Sequence, residues 1–599
     1  MSSRTCLRVA TAVSTVVVFL SLVFSVAFLF LGSSNPVDAA GAASVMAHDD
    51  FIGHRFLPAH EDWNNETGSR KTGPAQFSAE GHRMRITPVY QIDELRSTSP
   101  QKAQFLEEVV IPLSIESLTR MFSLRYPAQG GPLLLQRRCR RTLRWSSGEV
   151  ECSELASEAD QVCGSSGALP SDLFDEAVVC SGSRPGDCKR TARGAGANDT
   201  DFVLVVTSSG DDAECAGSED SMSAQGGFCA RDEESGRPVA GFVNVCPGGI
   251  TSDQDRLGKQ VDLAVHEILH ALVFEPTLWG YFRDAGGNAY DGSPVTMDVD
   301  PVTGRERRVL TTPKVKDFVR QHFNCTSLDG AELENEGGSG TQWSHWEESL
   351  FHDEIMTGLA SGSGRSVLSN LTLALMEDSG WYLPEYSFAG LLKFGRNAGC
   401  DFVEKKCESE GPAAKEFFCY GSGETGCTPN LLSLGRCEPN PLANGCSIVK
   451  GFSNAQCQDV RNMEKAVPLH VFDSSSLCVK GDTEPWVMQT SRGHRGSVMT
   501  TTTTYPSGSN GCFAFRCSDD GQVLVNIHNK EVACESGMDL KPFGFASGTF
   551  GTCPGPEVCD QQLSCDGLCN ALEGYCDRGA CHCHLGFWGH HCDQKIVPL

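Results

Sequence analysis

Positive charge is scarce in this 599-residue chain, where 49 Lys and Arg face 76 Asp and Glu for a formal net charge of −27. Such a surface repels phosphate backbones, which excludes nucleic acid as an expected partner. No C-x-x-C pair occurs despite 29 cysteines, so the usual knuckles of a structural zinc cluster are missing. Between Cys6 and Cys139 there is no cysteine at all. The last residues, Gln594–Leu599, lack a hydrophobic tail, which argues against a glycosylphosphatidylinositol anchor. A content of 40% hydrophobic and 21% charged residues speaks against a mainly disordered chain.

What the chain does have is an even set of 28 cysteines from Cys139 to Cys592, enough for fourteen disulfides and the mark of an oxidising compartment. Arg4 and Arg8 precede an apolar run from about Val9 to Leu31, followed by small residues at Val37–Ala40. Residues 1–40 therefore read as a signal peptide that is cleaved, with an uncleaved signal anchor as the alternative because the run is nearly long enough to span a bilayer. A membrane is an expected partner only if that leader is retained. Four N-x-S/T sequons, at Asn65, Asn198, Asn324 and Asn370, suit glycosylated surface loops. The expected location is the secretory pathway, secreted or at the cell surface.

Residues 41–80 are polar and free of cysteine, as a pro-segment would be. Met84–Tyr90 resembles a strand. Lys102–Phe122 has apolar residues near helical spacing, but Pro112 predicts a kink or a break there. Asp201–Thr207 and Pro238–Cys246 read as buried strands. From Gln260 to Phe274 the residues Val261, Leu263, Ala264, Ile268, Leu269, Leu272 and Val273 recur at helical intervals, with Pro276 as the stop. A further helix is expected over Val367–Met376, a disulfide-stapled module over Cys400–Cys534, and a loop at Thr500–Thr504. The ending Cys581–Cys592, of the form C-x-C-x-x-G-F-x-G-x-x-C, resembles an EGF-like module. That resemblance implies the pairs Cys565 to Cys576, Cys569 to Cys581 and Cys583 to Cys592, and cell-surface or matrix partners.

The stretch Val265–Leu272 contains H-E-x-x-H. Its two histidines, His266 and His270, stand about one helical turn apart and project from one face, so both can reach one ion. Neutral imidazoles bind zinc and leave room for a water, and Glu267 beside them can take that water's proton and pass it to a leaving amine. A helix that merely happens to carry His, Glu and His is the competing reading. Zinc also needs a third protein ligand, for which the chain offers a later His or a later Glu.

The neighbourhood of the motif is similar to the leishmanolysin family of metzincin zinc proteases, in particular its invadolysin-like members. The resemblance runs through Gly236–Pro247, His266–Leu272, Ser344–Trp346, Asp353–Thr357, Leu373–Trp381 and Asn397–Phe402. It implies one catalytic Zn2+ held by His266, His270 and His345, with the third ligand beyond a long insertion. Met356, eleven residues after His345, falls at the family's Met-turn and would floor the site without binding the metal. His352 is nearer Met356 but lacks the Ser-His-Trp context, and a Glu from 332–348 would leave Met356 without a role.

The implied fold is α+β. A metzincin-like catalytic domain would comprise an N-terminal subdomain with the zinc helix (81–273) and a central subdomain with the third ligand and Met-turn (274–395). A cysteine-rich domain (396–552) and the EGF-like module (553–599) would follow. The implied activity is a zinc-dependent endopeptidase acting on protein or peptide substrates, with Glu267 as general base. The alternative is a cell-surface binding or adhesion protein on a protease-like scaffold. Two departures from the family stand out. Val273 replaces a glycine usual three residues after the second histidine, which is costly if that position needs φ > 0. The pro-segment also lacks the cysteine that would occupy the zinc, and its His54 and His60 read as solvated polar residues.

Overall fold

The computed structural model describes the chain from Gly81 to Lys595 with interruptions, the longest being 216–223, 360–365, 463–469 and 560–573. The leader, the pro-segment and the three C-terminal disulfides expected above lie outside the described residues.

Strand β1 (Ile86–Gln91) is followed by a helical stretch ending in α1 (Ile111–Met121). Where a kink or a break was expected at Pro112 the helical stretch is not broken, and a π-helical turn over Leu106–Val110 leads directly into α1. Proline lacks an N–H and its ring crowds the carbonyl four residues back, and a widened turn relieves both problems without ending the helix. Ser114 Oγ also donates to the Val110 carbonyl at 2.8 Å.

Strands β2 (Phe202–Thr207), β3 (Ala224–Arg231) and β4 (Pro238–Val245) join β1 in a sheet of order β3-β4-β2-β1. β1, β2 and β4 run parallel, with Phe202 opposite Ile86 and Leu204 opposite Gly241, and β3 lies antiparallel along β4. Every residue of β2 and β4 is buried, because layers cover both faces of the sheet. Alternation sorts them: Phe202, Leu204 and Val206 join the core around the following helix, while Val203 and Val205 pack with Cys163, Leu169 and Phe174 on the other side. The sequence patterns thus read β2 and β4 correctly but missed β3, whose Gly226–Gly227 pair does not look like a strand.

Helix α2 (Leu257–Leu272) is the element predicted over 260–274, and it lies directly on β3. A Cβ on Gly226 would stand 2.2 Å from the Glu267 carbonyl oxygen and 2.7 Å from its Cα. Only glycine lets strand and helix backbones come this close. After α2 come a three-stranded sheet (Val295–Val299, Glu306–Leu310, Ala331–Glu332), α3 (Pro313–His322) and α4 (Asn370–Asp378). The last is the helix expected near 367–376, and Ser369 caps it by accepting from Leu371 N at 3.1 Å.

Eleven disulfides occur among the described residues. Cys163–Cys229 and Cys215–Cys246 tie β3 and the end of β4 to the preceding chain, and Cys325–Cys400 fastens the end of α3 to the cysteine-rich region. Cys553 and Cys559, grouped by sequence with the C-terminal module, are bonded to Cys534 and Cys517. The loop expected at Thr500–Thr504 is instead part of a strand, Ser497–Tyr505, paired antiparallel with Trp486–His494. Consecutive β-branched threonines favour that extended backbone. No helix among the described residues is long and apolar enough to cross a membrane.

The contact at Gly226 generates a test. Gly226→Ala forces strand and helix apart and is expected to lower stability by about 1–3 kcal/mol through overpacking. Denaturant unfolding measures it, and an unchanged midpoint contradicts the close approach.

Candidate metal centre

Helix α2 presents His266 and His270 from one face, and both are fully buried, as is Glu267. His345 arrives from a loop 75 residues further on, also fully buried, and the three Nε2 atoms converge: 2.9 Å from His266 to His270, 3.1 Å from His266 to His345, 3.3 Å from His270 to His345. Among the described residues these three form one of two compact groups with metal-ligand side chains; the other contains Cys180 and Cys188, already joined to each other.

The opposite ring nitrogens explain why the lone pairs point inward. His266 Nδ1 lies 2.5 Å from the Ile355 carbonyl, His270 Nδ1 2.8 Å from the Phe274 carbonyl and His345 Nδ1 2.9 Å from the Thr341 carbonyl. A carbonyl can only accept, so each Nδ1 carries a hydrogen, and in the neutral form each ring turns an acceptor towards the other two. Three converging acceptors repel unless a cation lies between them. Four-coordinate zinc at ~2.05 Å from each nitrogen separates its ligands by about 3.3 Å, so the donor set and its spacing fit such an ion.

The loop carrying His345 is held on both sides. Glu334 N donates to the His345 carbonyl at 2.9 Å, and Trp346 N donates to the Met356 carbonyl at 2.9 Å. The Trp346 ring stands edge-on to Phe274 at 4.7 Å, while its Nε1 donates to Thr372 Oγ1 at 3.0 Å. Met356 is fully buried, in the turn whose Ile355 carbonyl faces His266. That turn hangs on Glu354, which sequence reasoning missed as a functional residue. Its carboxylate accepts from Met356 N (2.6 Å), Thr372 Oγ1 (2.7 Å) and Ser369 Oγ (2.9 Å). Burial raises its pKa to about 7 against those hydrogen bonds. The available signal was Thr372, noticed only as part of the Asn370 sequon; its hydroxyl is buried and engaged, whereas Asn370 is exposed.

His352, the competing third-ligand candidate, does not join the triad. Its Nδ1 pairs with Glu348 Oε1 at 2.6 Å and its Nε2 lies 3.6 Å from Asp353 Oδ1. Burial alone would lower its pKa, but the Asp353 and Glu348 carboxylates outweigh that and raise it to about 9. An imidazolium has no lone pair for a metal. Val273 needs no left-handed backbone, since it is absent from the positive-φ residues. Its N–H continues the helix to the Leu269 carbonyl at 2.9 Å, and Phe274 N bonds the same oxygen. Tyr382 OH then donates to the buried Leu272 carbonyl at 3.0 Å, so this carbonyl at the helix end is satisfied without a glycine turn.

Residues 175–441 match the family model described as leishmanolysin, peptidase M8. Similar proteins include a leishmanolysin-like peptidase of Caenorhabditis elegans, 34% identical over 48% of this chain and 46% of that protein. Another, from Drosophila melanogaster, is 28% identical over 68% of this chain and 64% of its own length. A ciliated left-right organizer metallopeptidase of Xenopus laevis is 26% identical over 80% and 63% respectively. The chain spans about half the length of the first of these relatives.

The His352 ion pairs predict a pH dependence. A folded pKa near 9 against 6.5 gives stability that is complete below about pH 6.5 and is lost as pH rises towards 9, on the order of 3 kcal/mol in total. In His352→Gln, denaturant unfolding at pH 6 and pH 9 is expected to show that slope removed, and an unaltered slope contradicts the assignment.

Proposed function

We propose that this protein, whose residues 175–441 match the leishmanolysin family model, is a zinc-dependent endopeptidase of that family that cleaves protein or peptide substrates. The observation that carries this reading is the convergence of three imidazole Nε2 atoms, each on a ring whose Nδ1 faces a main-chain carbonyl, beside a buried glutamate. His266, His270 and His345 hold one Zn2+, which when bound supplies Lewis acidity to the scissile carbonyl and acidifies the attacking water. Glu267 takes the proton from that water and delivers it to the departing amine, so one carboxylate acts as base and then as acid. Its backbone is fixed against Gly226, which keeps the carboxylate at a constant offset from the two helix histidines. Met356 and Glu354 hold the turn whose Ile355 carbonyl orients His266.

We read the catalytic part as metzincin-like, divided at about residue 273 where α2 ends, with the cysteine-rich region and an EGF-like module following. The disulfides suit the secretory pathway. The EGF-like module would offer a contact to cell-surface or matrix partners. An adhesion protein with an idle site, making its contacts through the cysteine-rich region and the EGF-like module, is the second reading; the one feature of the core pattern that favoured it was Val273, which does not take a positive φ here.

The test is hydrolysis of an unfolded protein by the processed chain with and without a chelator, together with a zinc count. One zinc per chain is expected, with activity abolished by chelation. Glu267→Ala should keep the zinc and slow turnover on the order of 10²–10⁴-fold. His345→Ala should lose zinc while His352→Ala retains it. Full activity in Glu267→Ala sinks the mechanism, and wild-type protein without zinc favours the adhesion reading.

A further inference from the structure

Of the three histidines only His345 lies outside α2, at the end of a long insertion, so its position depends on what closes that loop. A short loop of the cysteine-rich region packs there. Asn440–Cys446 is folded on itself, with Asn440 Oδ1 accepting from Leu442 N (3.0 Å), Asn440 N donating to the Cys446 carbonyl (3.0 Å) and Cys446 bonded to Cys407. Asn444 takes the left-handed backbone, φ 53°, that asparagine tolerates better than most residues.

Besides the Cys407 disulfide, the loop's hydrogen bonds reach segments on either side of His345. Asn444 Nδ2 donates to Glu347 Oε1 at 2.5 Å, two residues after the histidine, and Asn440 Nδ2 donates to Glu348 Oε1 at 2.8 Å. Asn444 N donates to Glu336 Oε2 at 2.8 Å. Leu442 is buried, 4% exposed. A Cβ placed on Gly358 would meet Leu442 Cδ1 at 2.7 Å, Thr341 Cγ2 at 2.6 Å and His345 Cγ at 3.9 Å. Leu442 therefore packs on Gly358, just past Met356, at the same place that the side chain of Thr341 reaches, and the Thr341 carbonyl holds His345 Nδ1.

We propose that the loop Asn440–Cys446 is a positioning element for His345, so that the metal-binding unit of this chain extends into the cysteine-rich region, past residue 441 where the family match ends. The proposal rests on the zinc reading above for its functional meaning, and on packing alone for its structural content. With Leu442 and the two asparagines in place, Thr341 and Glu347 are fixed on either side of the histidine. Without them the two helix ligands remain and the third is free to drift.

The experiment compares full-length wild type with Leu442→Ala, the conservative Leu442→Met, and Asn440→Asp, which sets a carboxylate against Glu348 without removing volume. Amide hydrogen exchange is followed in the metal-free chains, and Co2+ affinity and its visible d–d spectrum in the loaded ones. Expected are faster exchange across 341–358 with 257–272 unchanged, a tenfold or greater loss of Co2+ affinity with an altered spectrum, and recovery of both in Leu442→Met. Should Leu442→Ala fail to fold, Asn440→Asp carries the comparison. Wild-type exchange and Co2+ affinity in folded Leu442→Ala and Asn440→Asp overturn the proposal. A wild-type chain that binds no Co2+ sinks the metalloprotease reading instead, and the exchange comparison then decides the loop's role by itself.

Discussion

Three imidazole N–H groups, each donating to a main-chain carbonyl, set the conditions that the surrounding fold must meet. The carbonyls belong to Ile355, Phe274 and Thr341, three segments that are remote in sequence or leave the helix in different directions. Neutral acceptors that converge to about 3 Å disfavour one another until an ion enters, so the arrangement cannot be its own source of stability. It has to be imposed by packing: α2 on the sheet through Gly226, Trp346 between Phe274 and Phe351, and the Met356 turn beneath. Preorganisation of this kind spares the bound ion the cost of ordering its ligands.

The supporting shell is unusually rich in buried carboxylates. Glu334, Glu347, Glu348 and Glu354 are essentially inaccessible, and burial raises the pKa of Glu334, Glu347 and Glu354. Isolated, each such group would be strongly destabilising. Here the carboxylates serve as acceptors for backbone N–H groups in loops, at Met356, Ser369 and Glu336, and in the first turn of the short helix Glu348–Phe351, at Glu348 and Ser349. The loops around His345 and Met356 therefore use side chains for the hydrogen bonding that a strand or helix would have provided. Charge balance comes in part from the imidazolium of His352 and from Lys406, whose Nζ lies 3.5 Å from Glu332.

How far the sequence revealed this depended on whether the relevant signal was periodic. Helix α2 and strands β2 and β4 were legible because burial on one face or both leaves a repeat that residues alone display. β3 was not, since the requirement for close helix approach placed Gly226 and Gly227 where a strand former would otherwise stand. The π turn before Pro112 and the threonine strand at 497–505 show local chemistry resolved by geometry that spacing cannot encode. His345 had no periodic link to His266 and was identified only through resemblance, while Glu354 and Thr372 were hidden because a buried acceptor looks, in sequence, like any surface acid or sequon.

Val273 illustrates why a family pattern is a statement about backbone and not about residue identity. The usual glycine permits a left-handed turn that accepts the end of the helix. Here the chain takes one further helical residue, Phe274 N shares the Leu269 carbonyl with Val273 N, and Tyr382 from beyond α4 supplies a donor to Leu272. The Phe274 carbonyl that results is the one that orients His270. In this chain, then, the residue after the helix end provides the carbonyl that orients the second histidine, and a tyrosine from beyond α4 provides the donor that the helix end needs.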